Sequence, residues 1–198
     1  MTLTARELMD KLVGFPTVSR DSNLELIEFV ENYLNDLGVS STRVPNEDGT
    51  KAALYAHVGP EVDGGVVLSG HTDVVPVEGQ PWSTEPYVLT ERNGNLYGRG
   101  SCDMKGGLAA SIIAAETFIE IHPDFAGAIE ISGTADEESG GYGGVAYLAE
   151  HGHFDPDRVQ HVIIPEPLQK DRICLGHRGG WWVEIETKGE IAHGSMPF

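Results

Sequence analysis

With 198 residues, 40% of them apolar, the chain can bury a real core, as one domain or as one domain plus part of another. Thirteen lysines and arginines against 31 aspartates and glutamates leave a formal charge of -18, which argues against nucleic acid or an anionic membrane as partner. Cys102 and Cys174 are too few for a disulfide framework and fit a reducing cytoplasm, Met1 to Arg6 lacks the pattern of a signal peptide, and the longest apolar run, Leu108 to Ala115, is too short to span a bilayer.

In chain order, Thr4-Ala-Arg-Glu7 predicts a capping box opening a helix with Leu8, Leu12 and Phe15 on one face, stopped by Gly14 and Pro16. Ser22-Asn-Leu-Glu25 reads as a second box, opening a helix through Ile27, Val30, Leu34 and Leu37 that ends at Gly38. Strands are expected at about 40–44, 52–58 and 65–70, and Asn93-Gly94 marks a hairpin within 87–97. A helix is expected over 105–121, a strand over 128–133, a helix over 144–151 and a strand over 161–164. Further strands are read at 172–176 and 182–187. Strands alternating with helices imply an α/β fold, a mixed and largely parallel sheet flanked by helices.

Four sites repeat one arrangement, an apolar stretch followed by His, Asp or Glu. In Ser69-Gly-His71-Thr-Asp73, the two functional residues share a face of an extended segment, so one imidazole nitrogen can face a metal while the Asp73 carboxylate holds the other. Gly98-Arg-Gly-Ser-Cys-Asp103-Met-Lys-Gly-Gly107 opens the long helix. Taken alone, Asp103 reads as its N-cap, but the glycines at 100, 106 and 107 permit a close approach that a cap does not need. Asp136-Glu137-Glu138 follows a strand; alone it reads as a solvated turn, yet adjacent carboxylates point different ways and can divide metal binding from work on a water. Glu166 stands between two prolines just past a strand read as buried. One histidine with several carboxylates suits zinc, manganese or cobalt better than calcium, and the number of carboxylates favours two ions. Dinucleotide, phosphate-loop and nucleophile-elbow patterns are absent, and Cys102 reads as a packed small side chain rather than a nucleophile.

Taken together, His71-Thr-Asp73-Val-Val-Pro76, Gly98-Arg-Gly with Asp103-Met-Lys-Gly, Asp136-Glu137-Glu138 and Glu166-Pro167 resemble the co-catalytic zinc metallohydrolases that include acetylornithine deacetylase, succinyl-diaminopimelate desuccinylase, aminoacylase and carboxypeptidase G. The similarity runs along essentially the whole chain, in order, and matches the amino-terminal part of that family. It implies two divalent ions, zinc with cobalt or manganese as alternatives. His71 and Glu166 would bind one, Glu138 the other, and Asp103 both. Asp73 would orient His71, Glu137 would be the general base, and the Asp103–Met104 peptide would be cis.

The same resemblance extends to the tail. It implies a catalytic domain over 1–179 and, from 180 to 198, the start of an inserted α+β lid that also dimerises. Trp181-Trp182-Val-Glu-Ile-Glu-Thr187 is similar to the strand entering that lid, and Ile191-Ala-His193-Gly-Ser-Met-Pro197 to the motif whose histidine stabilises the oxyanion in a neighbouring subunit. The family's last metal-binding histidine follows the lid and has no counterpart before Phe198; the remaining histidines, 57, 122, 151, 153, 161 and 177, read as surface or core residues. The implied activity is hydrolysis of a small N-acyl amino acid or diamine, of N-succinyl-diaminopimelate or N-acetylornithine type, by a cytoplasmic homodimer. Metallo-carboxypeptidase or aminoacylase activity is the alternative, as is a non-catalytic metal-binding fragment.

Overall fold

Helix α1 (Ala5–Val13) begins at the Thr4 box: the Thr4 hydroxyl accepts from the Glu7 amide at 3.2 Å, and the Glu7 carboxylate accepts from the Thr4 amide at 2.8 Å. The structure is a computed structural model that describes residues 2–60, 62–169, 171–176, 179, 183–189 and 195. Helix α2 (Leu24–Asp36) starts differently from expectation. The Ser22 box does not form: the Ser22 hydroxyl accepts from the Leu24 amide at 3.3 Å, and Asn23, at the cap position, turns inward and pairs with both backbone groups of Ala52, donating at 2.8 Å and accepting at 3.0 Å. Burial makes those bonds worth more than a solvent-exposed cap.

The remaining elements are β1 (Ser41–Pro45), β2 (Ala52–Val58), β3 (Gly65–His71), the hairpin β4 (Thr90–Arg92) and β5 (Asn95–Tyr97), α3 (Lys105–Ile121), β6 (Ile129–Thr134), α4 (Val145–Glu150) and β7 (Val159–Ile163). Asn93 and Gly94 both take positive φ, 52° and 74°, as a type I′ hairpin turn requires. The main sheet has the order β1-β2-β6-β3-β7. β2 pairs antiparallel with both its neighbours, whereas β6, β3 and β7 are mutually parallel, so only β2 runs against the others.

One face of the sheet carries Leu54, Ala56 and Ile131, packed with Leu8 and Leu12 of α1, Leu34 of α2 and Ile112 of α3. On the other face the ring of His153, just past α4, lies 4.8 Å from that of Tyr55. β3 and β6 stay in register to their ends, where His71 pairs with Thr134. Thr72 then donates its amide to the Thr134 carbonyl at 2.8 Å, so the residues leaving both strands emerge side by side. This juxtaposition builds the site.

Three sequence expectations are corrected. The strand before Glu166 is not buried: β7 is an edge strand, and four of its five residues are exposed. Neither 172–176 nor 183–187 is a strand; Ile173 and Leu175 are almost fully exposed, and an alternating pattern becomes a strand only where a neighbour supplies the hydrogen-bond ladder. Trp182 lies outside the described residues. Cys102 is exposed rather than packed, because it sits on the turn leading into α3. The chain divides into two compact units, Met1–Pro167 and Leu168–Phe198. No helix among the described residues is long and apolar enough to cross a membrane.

The two helix starts predict unequal losses. Thr4→Ala should cost about 1 kcal/mol, and Asn23→Ala about 1–3 kcal/mol or more, since it strands two buried backbone groups of Ala52. Urea denaturation of both variants measures the difference, and equal losses would contradict the anchoring role of Asn23.

Candidate metal centre

His71 ends β3 with its ring 1% exposed. Its Nδ1 meets the backbone carbonyl of Asp73 at 2.9 Å, while the Asp73 carboxylate is farther, at 3.6 Å. The tautomer is therefore held by the Asp73 main chain, which leaves Nε2 facing the cleft. There Nε2 stands 3.0 Å from Asp103 Oδ1, 3.7 Å from Glu166 Oε1 and 3.9 Å from Glu137 Oε2. One ligand atom each from His71, Asp103 and Glu166 lie within 4.8 Å of one another.

Three elements bring these groups together. Asp103 does not cap α3: the cap position is Met104, without a side-chain bond, and the Asp103 carboxylate is free to turn toward His71. The Asp103–Met104 peptide is cis. Gly107, in the first turn of α3, lies so close to the Pro165 carbonyl that a Cβ would collide with it, and this contact draws the segment carrying Glu166 beside Asp103. The Asp73 carboxylate, freed from His71, accepts from the amides of Glu137 at 3.1 Å and Glu138 at 3.2 Å, and from the Ser19 hydroxyl at 2.6 Å. Glu137–Ser139 is a short 3-10 turn, so its two leading amides are orphan donors that a buried carboxylate satisfies.

The electrostatics are those of crowded negative charge. Burial, with the charges of Asp103 and Glu137 adding to it, pushes the Glu166 carboxyl up to about 7 despite the opposing pull of His71. Burial and the Asp103 charge likewise raise Glu138, although Glu138 is not among the three residues whose ligand atoms cluster within 4.8 Å. Burial would lower the His71 imidazole, but Asp73, Asp103 and Glu166 outweigh it and raise its pKa. A nitrogen and two carboxylate oxygens aimed at one point, with their negative charge unneutralised, is a donor set that fits a divalent transition ion such as zinc.

Three side chains that sequence reasoning did not single out support this arrangement. Ser19 and Lys51 stand behind the acidic turn. Lys105 is fully buried at the start of α3 and donates to the Phe15 carbonyl at 2.6 Å, and burial pushes its ammonium down to about 7 against the pull of Asp73. Nothing in the local pattern distinguishes Ser19 or Lys51 from surface residues; Lys105 was visible only as the residue after Met104. His193 lies outside the described residues.

Residues 67–194 match the sequence profile of peptidase family M20/M25/M40. A curated succinyl-diaminopimelate desuccinylase of Beijerinckia indica is 36% identical over 205 residues, covering 100% of this chain and 53% of that protein. The chain spans about half the length of the curated relatives it matches. Among solved structures, human carnosine dipeptidase 1 superposes with a TM-score of 0.70 at 27% identity, over 81% of this chain and 38% of its own. A Bacillus subtilis protein described as a dinuclear metal binding peptidase from the M20 family shares the fold, with a TM-score of 0.56 at 16% identity over 81% of this chain and 41% of its own.

The raised carboxyls set a pH prediction. A carboxyl whose folded pKa exceeds its unfolded value contributes stability that is complete below the unfolded pKa and lost as pH rises through the folded one. Glu166, raised from 4.5 to about 7, should therefore make the metal-free chain less stable from roughly pH 4.5 to 7, and the raised His71 acts in the same direction. Melting temperatures in chelator should fall over that window, and Glu166→Gln should flatten the slope. Excess zinc should restore stability at the upper end.

Proposed function

Because the chain belongs to peptidase family M20/M25/M40, we propose that it carries the catalytic half of a metal-dependent amidohydrolase acting on a small N-acyl amino acid or diamine, with N-succinyl-diaminopimelate the favoured substrate type. The observation that carries the reading is the meeting of His71, Asp103 and Glu166 in one cleft, with Asp73 linking His71 to the acidic turn. The succinyl preference rests on the desuccinylase relatives alone.

His71 and Glu166 would hold one divalent ion and Glu138 a second, with Asp103 serving both; zinc fits the donor set, with cobalt or manganese as alternatives. The dinuclear description of the Bacillus subtilis protein supports two ions rather than one. When bound, such ions polarise an amide carbonyl and acidify water. Asp73 orients His71 through its backbone carbonyl and keeps Nε2 directed at the cleft. Glu137, half-exposed beside Nε2, is the general base: its carboxylate takes a proton from the attacking water and returns it to the departing amine nitrogen. His193 supplies the hydrogen bond that stabilises the tetrahedral oxyanion from a partner subunit.

The domain reading belongs to the same proposal: a catalytic part over 1–179 and the start of a dimerising lid from 180 onward, supported by the motifs of the tail. A homodimer follows from it, and the two-cysteine composition supports a reducing cytoplasm. Metallo-carboxypeptidase activity is the second reading, supported by the fold shared with a solved M20 family metallo-carboxypeptidase of Sulfolobus solfataricus.

Parallel assays of N-succinyl-diaminopimelate, N-acetylornithine and a dipeptide, with the protein that contains this chain, separate the readings; hydrolysis of the dipeptide alone would overturn the first. Glu137→Ala should keep the metal content and lose about 100-fold or more in turnover, the scale of a missing general base. Glu138→Ala should instead lower metal content. The reverse pattern would exchange the roles of the two glutamates.

A further inference from the structure

Behind the acidic turn, three residues far apart in sequence close a ring around it. Lys51 precedes β2 and is mostly buried, its side chain 14% exposed. Its ammonium donates both to the backbone carbonyl of Ser19 and to the carboxylate of Asp136, which is 16% exposed. Ser19 donates its hydroxyl to Asp73, and Asp73 accepts from the amides of Glu137 and Glu138, the residues directly after Asp136. The ring thus runs from Lys51 through Ser19 and Asp73 to the turn, and back through Asp136. Asp136 takes a left-handed backbone, φ 60° and ψ 20°, a region uncommon outside glycine but one that aspartate tolerates better than most residues. At that bend the chain leaves β6 for the Glu137–Ser139 turn, where Glu137 Oε2 comes within 3.9 Å of His71 Nε2.

We propose that Lys51, acting through Asp136 and Ser19, is the positioning residue that sets the Glu137–Glu138 turn against the His71, Asp103 and Glu166 cluster. The inference rests on reading that cluster as a divalent-metal centre. Lys51 touches neither the cluster nor a substrate, so its influence passes through the turn.

Two roles for this lysine predict opposite signs. As a bare positive charge near a cation site, Lys51 would repel the ion, and its removal would tighten binding. As a positioning residue, its removal loosens a ligand-bearing turn, and binding weakens.

The test titrates the metal-free protein that contains this chain with cobalt(II), following the visible absorption bands that report ligand geometry, while thermal unfolding in chelator tracks fold stability separately. Lys51→Met should weaken cobalt binding about 10-fold or more, the usual scale for a supporting residue behind a metal ligand, and change the band shape. Lys51→Arg, which keeps the charge and its donors, should recover most of the affinity. Ser19→Ala, a neutral change that cuts the ring at the Asp73 link, should weaken binding too, and it decides the matter if Lys51→Met does not fold. Unchanged or tighter cobalt binding in Lys51→Met, or unchanged binding in Ser19→Ala where Lys51→Met is unfolded, would overturn the inference, provided His71→Ala abolishes binding. If the wild-type chain and His71→Ala both fail to bind cobalt, the metal reading itself fails and the inference falls with it.

Discussion

The Asp73 carboxylate holds two segments that share no sequence neighbourhood, and the site's geometry follows from that grip. It accepts from the Ser19 hydroxyl on one side and from the amides of Glu137 and Glu138 on the other, in a buried position where hydrogen bonds to an ionised group are strong. Its own backbone carbonyl meanwhile holds His71 Nδ1. One residue therefore sets both the direction of the imidazole and the place of the acidic turn. The strand register makes this feasible, since β3 and β6 end level at His71 and Thr134.

Two carboxylates of this protein, one buried and one half-buried, show what distinguishes a structural acid from one awaiting a cation. Glu130 on β6 is 2% exposed, yet it is neutralised by Arg158 Nη1 at 2.6 Å and bonded by the Tyr55 hydroxyl. That group is a satisfied ion pair within the fold. Glu166 faces Asp103, Glu137 and a single imidazole, and among the described residues no lysine or arginine forms an ion pair with Glu166 or Asp103. Gathering such charge in a partly buried cleft is costly, and a divalent ion is the simplest means of lowering that cost.

Much of the scaffold was legible from the chain because its signals are local. The Thr4 box, the Asn93-Gly94 turn and the 105–121 helix emerge at or near the expected bounds. The sequence also singled out His71, Asp103 and Glu166, each after an apolar stretch or at a helix start, and the structure brings their ligand atoms within 4.8 Å of one another. Failures fall where a distant partner decides. The expected Ser22–Glu25 box does not form, and Asn23 at the helix start turns to Ala52, twenty-nine residues on, which offers two buried backbone groups. Strands are expected at 172–176 and 182–187, yet a local pattern says nothing about whether a ladder partner exists, and the described residues 172–176 and 183–187 form none.

By itself, then, the sequence determined the α/β alternation, the family and the identity of the acids and histidine that gather at the strand ends, since periodicity, caps and motif spacing are properties of neighbouring residues. Only the tertiary structure decided that the Asp73 carboxylate serves the acidic turn while its main chain serves His71. It alone brought Lys51 and Ser19 behind that turn, and let Gly107 admit the Pro165 carbonyl so that Glu166 reaches Asp103. Those outcomes depend on which strands pair and in what register, and pairing across tens of residues is set by the packing of the whole sheet rather than by any segment within it.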